Sequence, residues 1–427
     1  MTDPEAMGLD FGTTNTVLAR AASGRAAPLT LELGRRSGAS LRSALGFRSV
    51  GDAPRRVEVE AGERAIDWFL DDPGDTRFMQ SIKTFAASPL FRGTAVHGRS
   101  YAFEDLLESF LRCLSRYAGR PLPRRLVVGR PVRFAGAQAD EALALSRYRA
   151  AFERLGVEDL AFVAEPVAAA HLYARRLDRP ATVLVGDFGG GTTDFSVVRI
   201  EPGREGAVAE PLGQGGVGVA GDQFDFRIIE ALVLPVLGLG GRYRSFGRWL
   251  DLPRAPFQAF ARWERLSVLK GSPEFADLRR LRRHAEDPEA LDRLIDLVEG
   301  ELGYALHHAV SALKTRLSDV DAADFAFEPL GPALRRRVSR ADFEAWIAPD
   351  LARIEGALDA TLAAAGVDEG GVNRVFLTGG TSFVPAVRAL MARRFGAERL
   401  EGGQEMVSIA VGLALIADRQ SDRAATA

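Results

Sequence analysis

A single cysteine, Cys113, stands in 427 residues, so the chain can close no disulfide within itself and build no cysteine-rich zinc site. That composition suits a reducing compartment. Histidine is almost as scarce: His97, His171, His284, His307 and His308 make no HExxH pairing, and no histidine metal site is expected. Long apolar runs are missing too. The longest, around Ala231–Leu239, is broken by Pro235 and is too short to span a bilayer. Met1-Thr2-Asp3-Pro4-Glu5 lacks the apolar core of a secretion signal. The expectation is a cytoplasmic protein that avoids membranes. A formal charge of −2 speaks against a nucleic-acid-binding surface. The basic runs Arg279–His284 and Arg335–Arg337 read as solvated faces. Lysine, finally, is reduced to Lys83, Lys270 and Lys314, arginine having taken its place elsewhere.

What is present is an ordinary globular composition, 47% hydrophobic and 26% charged, in a chain long enough for several compact units. Met7–Arg20 reads as a strand, a Gly-Thr-Thr-Asn turn and a second strand. Val183–Ile200 repeats the design around Asp187-Phe188-Gly189-Gly190-Gly191-Thr192-Thr193. Asp10 and Asp187 occupy equivalent places 177 residues apart, which predicts two similar lobes that each open with the same hairpin. Between the copies, helices are expected at about Phe103–Ala118, Gln138–Leu155 and from Glu165-Pro166 onwards, with a buried strand at Leu126–Val128. Strands alternating with helices indicate mixed α/β lobes. From about Phe224 to Leu317 the chain reads as mostly helical. Val375–Leu377 reads as a strand, Thr378–Thr381 as a turn, Pro385–Phe395 as a helix and Ser408–Ala417 as a final apolar helix.

The two hairpin tips carry chemistry. Backbone N–H groups at a tight Gly/Thr turn converge on a concavity that suits phosphate oxygens. Glycine lets the backbone approach closely. A carboxylate just before each turn cannot bind phosphate, but it can hold a hydrated magnesium ion that does. One such hairpin is a weak signal; two matched copies, each with its own aspartate, are a strong one. Val375–Ser382 adds a strand ending in Gly379-Gly380, where backbone can lie against a flat ring.

These motifs resemble the first phosphate, second phosphate and adenosine motifs of the actin-like ATPase superfamily. Within it, Gly8-Leu9-Asp10-Phe11-Gly12-Thr13-Thr14-Asn15, Asp187–Asp194, Ala164-Glu165-Pro166-Val167 and Gly218–Asp225 resemble the heat shock protein 70 family. Gly129-Arg130-Pro131-Val132-Arg133-Phe134 is closer to the short DnaK-like proteins of the YegD type. The resemblance covers about Met7 to Ala417. It implies a duplicated ribonuclease-H-like fold, two lobes each with a mixed five-stranded sheet flanked by helices. It also implies ATP or ADP with Mg²⁺, and K⁺ as a further candidate ion. Asp10 and Asp187 would serve the metal through water, with Glu165 and Asp194 beside them. Gly12, Thr13, Thr14, Asn15, Gly189, Gly190, Gly191, Thr192, Thr193 and Gly221 would line the phosphates. Lys83 would position the attacking water. Lys314 and Ser318 resemble the helix that contacts adenosine and ribose, and Gly379, Gly380 and Thr381 would complete the adenine pocket. Two of the three lysines thus fall on nucleotide positions, where an arginine fork would not replace a compact ammonium. Departures are Ser311, Thr315 and Phe383, which stand where the large chaperones carry charged residues near adenosine.

The organisation expected is lobe I over 1–180, with a core of 7–45 and 101–180 and a peripheral insertion of about 46–100. Lobe II covers 181–427, with a core of 181–222 and 318–417 and a mostly helical insertion of about 223–317. Residues 418–427 are expected to fray. No acidic–apolar linker or peptide-binding sandwich is expected after Ala417. The reading is an ATP-hydrolysing switch, related to chaperones and acting on an unidentified protein partner or client. The alternatives are a small-molecule kinase on the same fold and a non-hydrolysing ATP-sensing scaffold.

Overall fold

The structure is a computed structural model. It describes residues 6–34, 37–51, 56–72, 75–134, 138–174, 177, 179–201, 208–262, 265–266, 269–401 and 407–426. The chain divides into two compact units, 1–221 with 352–427, and 222–351.

The first unit holds both predicted hairpins, each inside its own mixed sheet. Ala6–Phe11 pairs antiparallel with Asn15–Ala22 and parallel with Arg125–Arg130, which pairs in turn with Asp159–Ala164. Arg25–Pro28 and the short Leu41–Arg42 bring this sheet to six strands. The second sheet has five: Val208–Val217, Thr193–Glu201, Ala181–Phe188, Arg374–Thr378 and Leu400–Glu401. A separate three-stranded sheet, Ala44–Val50 between Arg56–Ala61 and Thr76–Gln80, carries the chain towards Lys83.

Strand alternation explains the layering. Met7, Leu9 and Phe11 share one face and pack with Leu107, Phe110 and Leu111 of the Phe103–Tyr117 helix. The opposite face meets the Ser408–Thr426 helix, through Val17, Ala19, Ala410 and Ala414. This helix and Glu165–Tyr173 lie between the two sheets. Their shared core joins Ala6 and Val127 of one sheet to Val183, Val185 and Phe376 of the other. The approach is close: a Cβ added at Gly412 would stand 1.8 Å from the Ala168 carbonyl oxygen. The final helix runs on to Thr426, past the predicted end at Ala417. Asp418 accounts for part of this, being buried and accepting the Gly24 N–H at 2.7 Å.

The second unit is mostly helical, with Pro273–Leu281, Pro288–Glu299 and Gly303–Asp319 as its longer helices up to Asp319. An antiparallel hairpin, Arg242–Ser245 with Arg248–Asp251, interrupts the stretch read as helical. Both basic runs are surface faces threaded with ion pairs, among them Arg279–Glu299, Arg282–Asp292, Arg335–Glu328 and Arg337–Asp324. No helix among the described residues is long and apolar enough to cross a membrane.

Gly412→Ala is expected to push the two central helices apart and lower stability by roughly 1–3 kcal/mol. Urea unfolding of the two proteins measures it, and an unchanged midpoint would show that the helices can separate freely.

Candidate functional site

Each hairpin closes its tip in the same way. Gly12 N–H donates to the Asn15 carbonyl at 3.1 Å, and Gly189 N–H donates to the Thr192 carbonyl at 3.0 Å. The tips face one another, since a Cβ built on Gly191 would lie 3.4 Å from the Thr13 hydroxyl oxygen. Thr13, Thr14, Asn15, Gly190 and Thr192 are half-buried at this junction. Thr193, one residue into the strand, points inward. It is fully buried, and its hydroxyl donates to the Val219 carbonyl at 2.7 Å. Strand alternation therefore gives Thr192 an open side chain and Thr193 a tie to the core.

The Gly-Gly turn docks on the second tip. Thr381 Oγ1 donates to the Gly189 carbonyl at 2.7 Å, and Gly221 N–H donates to the same carbonyl at 3.4 Å. Gly379 takes φ +80°, and a Cβ there would fall 2.3 Å from the Phe188 carbonyl oxygen and 2.8 Å from Asp187 Oδ1. Both the backbone conformation and the close approach require glycine. Gly380 then opens a short 3₁₀ turn to Phe383.

Lys83 sits in a second 3₁₀ turn, Ile82–Phe85, entered through Ser81 at φ 46°. Its Nζ meets Glu165 Oε1 at 2.7 Å, with both side chains buried. Glu165 opens the helix that the Ala164-Glu165-Pro166 motif predicts. Asp187 and Asp194 stand directly opposite each other across the second hairpin. Asp194 Oδ1 accepts the N–H groups of Val132 at 3.0 Å and Arg133 at 3.2 Å, and Oδ2 is buried with no hydrogen-bond partner among the described residues.

Four carboxylates thus surround one ammonium, and the charges do not balance. Loss of water pushes the half-buried Asp10 up to about 7, with Glu165 adding to the shift and Lys83 opposing it. Asp194 also rises to about 7, from burial and then Glu165, against the pull of the Thr192 side chain and the Arg133 N–H. Asp187 is raised well above the usual carboxylate range by burial, Glu165, Asp10 and Asp194. Burial pulls the Lys83 pKa down, but Glu165, with Tyr148 and Asp10, outweighs it and holds the lysine above its ordinary value. An excess of buried carboxylate suits a hydrated divalent cation met through its water molecules. Among the described residues, no three acidic, histidine or cysteine groups converge closely enough to bind a metal directly.

Several residues that build the site carry no motif. Ser43 donates from Oγ to the Gly12 carbonyl at 2.7 Å and meets Thr16 Oγ1 at 2.9 Å. Its backbone accepts from Ser81 N at 3.1 Å. It therefore ties the first tip to the Lys83 turn. Lys314 and Ser318 lie in the second unit on Gly303–Asp319, where Lys314 Nζ pairs with Asp225 at 2.9 Å and Ser318 Oγ donates to the Lys314 carbonyl at 3.3 Å. The remaining lysine, Lys270, pairs with Glu301 at 2.9 Å.

Paired β-hairpins in two mixed sheets, with a Gly-Gly turn on the second, define the actin-like ATPase fold. Residues 98–235 and 280–424 match the family described as Hsp70 protein, and the chain belongs to that family. It is 27% identical to the chaperone protein DnaK of Deinococcus proteolyticus, over 96% of this chain and 58% of that protein. Identity to a chaperone protein DnaK of Thermus thermophilus is 27%, over 96% of this chain and 60% of that protein. A chaperone protein HscA homolog from Shewanella amazonensis is also 27% identical, over 97% of this chain and 58% of its own length. The chain therefore spans less than two thirds of the length of these relatives.

The raised Asp194 pKa has a consequence for stability. Well below pH 3.8 the carboxyl is protonated in both folded and unfolded states and contributes nothing. Between its ordinary 3.8 and about 7 only the unfolded state ionises, so the folded state loses stability as pH rises. Asp194→Asn removes that loss. In chelator, the variant is expected to match wild type well below pH 3.8 and to exceed it by roughly 2–4 kcal/mol at pH 8. Denaturant titrations across that range decide it; a constant difference would mean that Asp194 ionises freely.

Proposed function

We propose that this protein binds and slowly hydrolyses ATP, alternating between ATP and ADP states that a protein partner or client reads. The observation that carries this reading is the buried Lys83–Glu165 pair beside two facing phosphate-type tips. Gly12–Asn15 and Gly189–Thr192 would cradle the β- and γ-phosphates with backbone N–H groups. Asp10 and Asp187 would hold hydrated Mg²⁺ through its water molecules, and the same acidic surroundings make K⁺ a further candidate. When bound, Mg²⁺ supplies positive charge at the phosphate oxygens. Lys83 would orient the attacking water and stabilise charge developing on the transferred group, since phosphoryl transfer is largely positioning and electrostatics. Glu165 holds the lysine in place, and Asp194, close to its titration midpoint at neutral pH, can accept a proton from that water. Gly379, Gly380 and Thr381 would receive the nucleoside.

The lobes are proposed as residues 1–180 and 181–427, and the buried, unpaired Cys113 supports a cytoplasmic setting. A kinase would need a base for its acceptor hydroxyl; Glu165 is occupied by Lys83, which leaves Asp194 for that role.

Mg-ATP hydrolysis without added acceptor tests the reading. Wild type is expected to turn over slowly. Lys83→Ala should keep ATP affinity and lose turnover by about 100-fold or more, and Asp10→Asn should weaken the response to Mg²⁺. Unchanged turnover in Lys83→Ala would remove that residue from the mechanism, and failure of the wild type to bind ATP would overturn the function.

A further inference from the structure

The Lys83 turn is gripped from outside the site by a side chain that belongs to no motif. Arg147, half-buried on the Glu141–Glu153 helix, reaches the chain just beyond Lys83. Its Nη1 donates to the carbonyls of Phe85 at 3.0 Å, Ala86 at 2.8 Å and Ser88 at 3.1 Å, and its Nη2 donates to Phe91 at 2.6 Å. The guanidinium also lies over the Phe103 ring, 5.9 Å from its centroid. Asp140 N–H, at the start of the same helix, donates to the Ala87 carbonyl at 2.8 Å. Five carbonyls between Phe85 and Phe91 are therefore held by one helix, four of them by one cation.

This grip transmits to the lysine. Ala86, whose carbonyl Arg147 holds, closes the Lys83 turn by donating its N–H to the Lys83 carbonyl at 3.1 Å. At the other end Ser81, at φ 46°, is fastened to the Ser43 carbonyl at 3.1 Å. The turn is thus strung between two anchors, one leading to the first phosphate-type tip and one to Arg147. Only a planar fork with several donors can serve converging carbonyls in this way. A lysine in its place would be a single point with fewer, differently directed donors. Bonds from a charged donor are also the stronger kind.

Building on the phosphoryl-transfer reading above, we propose that Arg147 is a positioning residue for Lys83. It fixes the exit of the Ile82–Phe85 turn and thereby the place of the ammonium. Loosening the exit lets Nζ leave Glu165, and a displacement of about 1 Å in such a group can cost about 100-fold in rate.

Because the chain has only Lys83, Lys270 and Lys314, each amine can be followed separately by mass spectrometry after brief acetylation. In Arg147→Ala and Arg147→Gln, Lys83 is expected to acetylate about tenfold faster than in wild type, with Lys270 and Lys314 unchanged. ATP turnover should fall about tenfold to 100-fold at unaltered ATP affinity. Arg147→Lys should lie between, and it serves as the test where truncation prevents folding. Unchanged Lys83 labelling in a folded variant overturns the proposal, whatever the hydrolysis rate does. Equal acceleration at all three lysines reports general loosening and overturns it as well. Selective acceleration in a protein whose wild type hydrolyses no ATP leaves Arg147 as the anchor of Lys83 and sinks the phosphoryl-transfer reading instead.

Discussion

Burying more carboxylate than one lysine can neutralise is the constraint around which the first unit is arranged. Asp10, Glu165, Asp187 and Asp194 would carry four negative charges if fully ionised, against the single charge of Lys83. A buried ion pair offers weak net stabilisation, while an uncompensated buried charge is strongly destabilising. The fold answers by letting Asp10, Asp187 and Asp194 resist ionisation and by directing backbone N–H groups at Asp194. It also pins Lys83 against Glu165. An apolar core drawn from both sheets and two closely packed helices holds these groups together. The site is costly for the folded state, because each carboxylate that ionises there adds to an uncompensated negative charge.

The duplicated hairpins convert this constraint into geometry. Both tips close by the same kind of bond at the same place after their aspartate. The second is further fastened to the Gly-Gly turn through Thr381. The first is fastened through Ser43 to the lysine turn. The first tip and the lysine turn are therefore joined by one set of short bonds, and the second tip and the Gly-Gly turn by another, mostly to backbone, rather than being side chains on separate loops. Such a network holds its geometry without depending on the rotamers of exposed side chains.

Much of this was legible in the sequence, because hairpin tips, a Gly-Gly turn and acidic residues at fixed offsets require particular residue types. Asp10, Asp187, Gly12, Gly189 and Gly379 are such positions, and Lys83 stood out in a chain nearly emptied of lysine. Thr193 itself begins the buried run Thr193–Val198 of its strand, whereas Thr192 lies in the tip before it. Ser43, Arg147 and the Val132–Arg133 amides were not legible. Their bonds are made largely to or from backbone, which leaves no trace in residue type, and their partners lie far away in sequence. The Arg242–Asp251 hairpin was hidden for a related reason. Its alternation of arginine and aromatic residues is short, and Phe246-Gly247 is not the Asn-Gly turn that marks such a hairpin.

Cys113 also decides how the hairpin tips can be labelled. Its thiol is buried beneath the Val59 carbonyl and Arg116, and burial pushes it up to about 11. At neutral pH such a sulfur offers almost no thiolate. The native protein is therefore nearly silent towards thiol reagents while folded. A cysteine placed by design on either hairpin tip would report alone, so dyes or spin labels could follow the two tips without first removing a native residue from the core.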